Sequence, residues 1–422
     1  MRSLVVVLFL TVASTVVLAD DRRLSLEEIK RFAVSQNLSL KAAEAEIREA
    51  AAQTTQYRSN YYPRMAVVAG PEILQEDLTT SAEALTYLEA KWNLFRGSLD
   101  RVQIQVSEIN EQILRSALKK AQFEVELEVE ALFYRHLSTS EKIKAHDQSL
   151  QLNERHRQLL RRKQGSGLAS QADVMEFELR DSYLKSAVSN LVQEREEARI
   201  GLVRLMGPSI QSRFEPVGSL PHVHLKRSLS AFLEQINSTS EAVQMASLRS
   251  ASASIEARSA RAMWFPQIDL EARYGRLPVD VASSAPAFHG ILALRWELFS
   301  GFETTSRIAE LKARVERNES EFRQKILSTM TAAEVNYLKL KSLQEQVHVE
   351  EGNEERAQKY YSAVLDEYRR GLKNGADLKS AEATLLDARN RAIDFKFAFI
   401  DTKIKLERDI GLYVETDVHK EN

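Results

Sequence analysis

Residues 83–97 read EALTYLEAKWNLFRG, and the way this run ends decides the fold. Its side chains alternate: Leu88, Ala90, Trp92 and Leu94 take one face, and Tyr87, Glu89, Lys91 and Asn93 the other. Period-two alternation predicts a strand with one apolar and one polar face. After Gly97 the period changes. Residues 98–164 contain neither glycine nor proline, so the strand passes straight into a helical stretch that would reach ~95 Å at 1.5 Å per residue. RWELFSG, residues 295–301, repeats the event.

The repetition is systematic. Trp92, Leu94, Phe95 and Gly97 recur as Trp296, Leu298, Phe299 and Gly301, a shift of 204 (301 minus 97). GLASQADV at 167–174 returns as GLKNGADL at 371–378, and Gly207 as Gly411, at the same shift. SNYYPRMAV around Pro63 resembles AMWFPQIDL around Pro266. Landmarks held in one register over such a distance mark an internal duplication. The first copy spans 20–207 and the second 241–411, with a linker at 208–240 and a tail at 412–422.

Each copy has the same order of parts. A helix runs into aromatics and a proline, which disfavours helix in the residue before it. Two strands follow, expected at about 64–76 and 83–95, then at about 267–276 and 288–299. In the second copy Ile268, Leu270, Ala272 and Tyr274 oppose Gln267, Asp269, Glu271 and Arg273, and Leu292, Leu294, Trp296 and Leu298 oppose Ala293, Arg295 and Glu297. Long helical hairpins are expected at about 98–206 and 302–410. Leu378, Ala381, Leu385, Ala388, Ala392, Phe395, Phe399, Thr402 and Leu406 recur at spacings of three and four, the seam of knobs-into-holes packing.

Composition sets limits. The 58 basic and 60 acidic side chains nearly balance, which argues against general nucleic-acid binding. There is no cysteine, hence no disulfide, zinc-thiolate site, cysteine nucleophile or acylated N-terminus. Residues 1–19 read as a secretory signal, with Arg2, an apolar core from Leu4 to Leu18 and a cleavage site after Ala19. No later apolar run approaches the roughly 20 residues of a helical membrane span. If the mature chain enters a bilayer, it does so as strands.

Four strands cannot close a barrel, and open strand edges are excluded from lipid. Two or more chains must therefore pool their hairpins. Tyr61, Tyr62, Trp92, Trp264, Phe265 and Trp296 lie at strand ends, where a barrel carries its interface aromatics.

With its duplication, its aromatic–proline opening, its W-x-L-F-x-G exit and its G-L-x-x-x-A-D tips, nearly the whole mature chain resembles the TolC-type outer-membrane efflux proteins. That resemblance implies a mainly α fold with a small β part: a homotrimeric twelve-stranded barrel in outer-membrane lipid, continued by a periplasmic coiled-coil tube. It implies a passive exit duct of a Gram-negative cell, served by a periplasmic adaptor and an inner-membrane pump, with no cofactor. Pro63, Gly97, Pro266 and Gly301 would then mark the barrel-to-tunnel junction, and Trp92, Trp264 and Trp296 the membrane interface. Gly167, Leu168, Gly371 and Leu372 would form adaptor-contact tips. Tyr368 and Lys373 would hold the periplasmic gate closed, with Asp377 either supplying acidic charge there or capping the return helix. The second tip is expected to line the pore and to loosen when Tyr368→Phe and Lys373→Ser are combined, whereas Lys163→Ser in the first tip is expected to leave resting conductance alone.

No catalytic or metal constellation stands out. His136, His146 and His156 are ten residues apart and do not share a helical face, and His222-Val223-His224 lies in the linker. The competing reading is a periplasmic coiled-coil scaffold or adaptor without a pore. It accounts for the heptads but not for paired two-faced hairpins, and it would be soluble without detergent.

Overall fold

The structure, a computed structural model, describes residues 22–76, 79–165, 170–207, 214–221, 224–225, 228–276 and 286–414. The chain is mainly helical with a small β part, and it divides into two compact units.

The first unit comprises residues up to Gln36, Glu128–Leu220 and Glu351–Phe397. It opens with β1 (Arg22–Leu24) and α1 (Leu26–Gln36). β1 pairs in parallel with β4 (Phe214–Pro216). The unit contains the later part of α3 (Leu99–Gly165), all of α4 (Gln171–Met206), the later part of α8 (Glu303–Arg369) and most of α9 (Gly375–Ile410). Its core includes Ala357, Tyr361, Val364, Tyr368, Leu378, Ala381, Leu385 and Ala388. Every residue of the expected α9 seam is buried except Phe395, which is half-buried.

The second unit comprises Asn37–Leu127, Pro221–Glu350 and Ala398 onward. It holds α2 (Leu38–Arg58), α5 (Leu229–Thr239), α6 (Glu241–Glu256) and the short α7 (Ser259–Ala262). It also holds the four strands: β2 (Arg64–Glu76), β3 (Thr79–Arg96), β5 (Gln267–Arg276) and β6 (Ala287–Arg295). They form one antiparallel sheet in the order β2-β3-β5-β6. Both edges, β2 and β6, are open.

Two details of the sheet depart from simple alternation. The β3–β5 register slips between Asn93 and Phe95, so Leu94 has no partner and a bulge forms. That extra residue lets Trp92 and Phe95 share one face while Asn93 and Arg96 share the other. The alternation read from sequence, which placed Leu94 on the apolar face in register, is corrected here. In the second copy β6 ends at Arg295, short of the expected 299, and Trp296 and Leu298 lie outside the strand. The physical reason is the missing neighbour: β3 is paired on both sides, whereas β6 is an edge. No described helix is long and apolar enough to cross a membrane, which says nothing of strands.

Candidate functional site

The sheet has two chemically distinct faces. Met65, Val67, Leu88, Trp92, Leu270, Leu292 and Leu294 project from one, with Val67 and Leu292 73% and 65% exposed. Apolar area of this kind facing water would be costly, so it marks a contact surface. The opposite face is ionic. Glu89 accepts from Lys91 Nζ at 2.6 Å and lies 3.3 Å from Arg273 Nε, and Arg273 also pairs with Glu271. Asn93 Nδ2 donates to Asp269 at 2.6 Å. The Arg273 guanidinium stands over the Tyr87 ring, 5.6 Å from its centre. The Glu89–Arg273, Asn93–Asp269 and Arg273–Tyr87 contacts tie β3 to β5, the strands contributed by different repeats.

At the end of the sheet the chain turns sharply. Gly97 and Ser98 have φ of 61° and 72°, and Gly301 and Phe302 have 59° and 71°. Two left-handed residues in succession send the strand into the helix, and a phenylalanine in that region is a strained outlier. Gly97 has a second constraint: a Cβ there would sit 2.5 Å from the Ala262 carbonyl oxygen. Gly301 has nothing within 4 Å. The tyrosine–proline turn is fixed by Trp92, whose Nε1 donates to Tyr61 O at 3.0 Å. Phe95 meets Phe265 edge to face at 6.4 Å. Trp264 and Trp296 are both exposed. Leu298 and Phe299, whose counterparts Leu94 and Phe95 lie within the sheet, are exposed, and Phe299 touches only Phe302 among the ring pairs described.

In the first unit, the tip between α8 and α9 explains the G-L-x-x-x-A-D pattern. Gly371, at φ 81°, closes α8: its N–H donates to Tyr368 O at 3.1 Å and that of Leu372 to Glu367 O at 2.9 Å. This is a Schellman cap, which favours glycine. Leu372 projects outward, 69% exposed, and Lys373 is exposed beside it. Asp377 accepts from the Asn374 N–H at 3.1 Å, and its own N–H donates to Asn374 Oδ1 at 2.9 Å. Of the two roles open to Asp377, this one is capping. Ser170 and Asp173 form the same box at the start of α4. Gly167 and Leu168 lie outside the described residues, as does His222.

Tyr368 packs within the helical hairpin behind the tip. It is 3% exposed, inside the core of its own chain. Its hydroxyl is buried with no hydrogen-bond partner among the described residues. Burial, with the nearby Asp173 charge, raises its pKa. Its ring makes a contact of its own: Lys163 Nζ lies 4.0 Å above the ring centre. Lys379 pairs with Glu176 a turn away.

Sequence reasoning missed a buried polar network below this tip. Ser149 Oγ donates to Glu382 at 2.6 Å, His156 Nδ1 lies 3.2 Å from the same carboxylate, and Tyr361 OH lies 3.2 Å from His156 Nε2. Asn153 Nδ2 donates to Phe177 O at 3.0 Å. Together these bonds connect α3, α4, α8 and α9. The partners are more than 200 residues apart for the Glu382 and Tyr361 contacts, which no local pattern reveals. His136 and His146 do not join it. His146 Nδ1 meets Lys142 O, and His136 Nδ1 is buried without a partner among the described residues.

The sequence profile of the outer membrane efflux protein family matches residues 32–208 and 232–412. The two stretches follow the two repeats. Protein CyaE of Bordetella pertussis (strain Tohama I) is 24% identical over 336 residues, 76% of this chain and 70% of that protein. The solved outer-membrane channel OprN superposes with a TM-score of 0.79 at 19% identity, covering 92% of this chain and 89% of that one. CusC gives 0.81 at 16% identity and 92% of each chain.

Proposed function

Since the chain belongs to the outer membrane efflux protein family, and is a non-enzymatic outer-membrane channel protein, we propose that it is the exit duct of a tripartite efflux or type I secretion system. In this reading a homotrimer places its apolar sheet faces against lipid and its ionic faces around a lumen. A periplasmic adaptor and an inner-membrane pump deliver substrate to the helical end.

The observation that carries this is the two-faced sheet with open edges. A lipid-facing sheet must have every backbone group paired, and here each edge strand needs a neighbour. The exposed Leu372 beside its Schellman glycine supports a role for the tip as an apolar anchor for the adaptor, with the undescribed Gly167-Leu168 turn as its first-repeat equivalent. Lys163 and Tyr368 would hold the gate by packing, with Lys373 free to meet a neighbouring chain and Asp377 fixing the start of the return helix.

The test is native mass measurement of detergent-extracted protein, followed by planar-bilayer recording. A trimer with channel conductance is expected. A detergent-free soluble monomer would restore the scaffold reading.

A further inference from the structure

We propose that the ionic face of the sheet is an anion-favouring selectivity surface, so that the conduit passes anionic solutes in preference to cations. This rests on the reading above that the face lines the lumen. Near the junction the face forms a concavity of about 450 Å³. Arg64, Lys91, Arg96 and Arg295 line it, against Asp269 and Glu271.

The pairing of these groups leaves a surplus of one positive charge per chain, five cations with Arg273 included against Glu89, Asp100, Asp269 and Glu271. Lys91 pairs with Glu89, Arg273 with Glu271, and Arg96 with Asp100 at 3.1 Å, while Asp269, bonded to the neutral Asn93 amide, keeps its charge. Among the described residues, Arg64 donates to the Asn60 amide oxygen alone, at 3.2 Å, and Arg295 has no ion pair. Arg64 also stands directly opposite Lys91 in the ladder.

The duplication points the same way. Arg295 is the repeat counterpart of Lys91, 204 positions later. Both hairpins therefore set a cation at the same position, and Arg64 adds a third in the first. Walls of low dielectric focus such a field and raise the local concentration of counter-ions, and rings of Arg or Lys favour anions in pores.

The experiment is the reversal potential of the full-length protein in planar bilayers under a KCl gradient near 0.1 M, where screening is moderate. Chloride is expected to be more permeant than potassium by roughly twofold or more. The preference should shrink in Arg64→Gln/Arg295→Gln and invert in Arg64→Glu/Arg295→Glu, both extracted as trimers. It should fade toward 1 M salt, where the Debye length is about 3 Å. Conducting channels that are cation-selective, or whose reversal potential ignores the charge reversal, would overturn the proposal and leave the duct intact. A trimer that never conducts would overturn the duct reading, and this inference with it.

Discussion

At the scale of single residues, the sheet faces make opposite demands. Leu292 lies on the apolar face, opposite Leu270 in the ladder. Leu292→Arg, level with Trp92 at the proposed membrane interface, should cost up to about 1 kcal/mol and reduce membrane-assembled protein, scored by detergent fractionation. Arg295→Ala, on the other face, should assemble normally. Equal behaviour of the two would reverse the face assignment. His136 makes a prediction about pH. Burial, reinforced by Arg195 and Arg199 and opposed in part by Glu196, lowers its pKa from 6.5 to about 4. The folded state therefore favours neutral imidazole. Its contribution is complete above pH 6.5 and is lost as the pH falls toward 4. Thermal unfolding of wild type should weaken across that window more steeply than that of His136→Gln, and parallel curves would remove His136 from the acid response.

At the scale of elements, the tip hairpin behaves as a packed clamp. A cation over an aromatic ring is worth about 0.5–1 kcal/mol at a site of this kind. Lys163→Ser and Tyr368→Ala should both loosen the tip and raise resting single-channel conductance. Tyr368→Phe should not, because the hydroxyl it removes is buried and unpaired. A conductance change in Tyr368→Phe equal to that in Tyr368→Ala would mean the hydroxyl finds a partner in the assembly. The elements also show what the sequence could disclose. Alternation in QIDLEARY marks β5 directly, because both faces of that strand are decided within the chain. It misleads at RWELFSG: Trp296 and Leu298 continue the pattern, yet the pairing that would keep them in a strand is missing from the edge. The A-D of each tip was visible as a pattern with capping as one of two roles open to Asp377, and only geometry shows Asp377 bonding back to Asn374. The Glu382–His156–Tyr361 network was illegible because its members come from three different helices, and spacing along one helix says nothing of them.

At the scale of the whole molecule, the duplication predicts a contact between chains. Gly97 approaches Ala262, the last residue of α7, shortly before β5. Its counterpart Gly301 has an open flank, and the first-repeat position matching Ala262 at the 203 shift of the proline turns is Ser59. In the proposed trimer, Gly301 should therefore meet Ser59 of a neighbouring copy, as Gly97 meets Ala262. Ser59→Cys combined with Gly301→Cys should give disulfide-linked dimers and trimers on mild oxidation, while either change alone gives none. Extraction of the double variant as an uncrosslinked trimer would show that the junction between chains does not copy the junction within one.

Within this chain, β3 meets β5 across a boundary that in sequence separates two copies of one unit. Had the unit never been fused to its duplicate, the proposed barrel would need six identical subunits, and every change in a tip would appear six times over. Fusion halves that obligation. Ser170-Gln171 and Asn374-Gly375 occupy the same place in the two tips yet differ, a divergence that an assembly of identical single units could not carry. One tip is thereby free to specialise while the other keeps its former role.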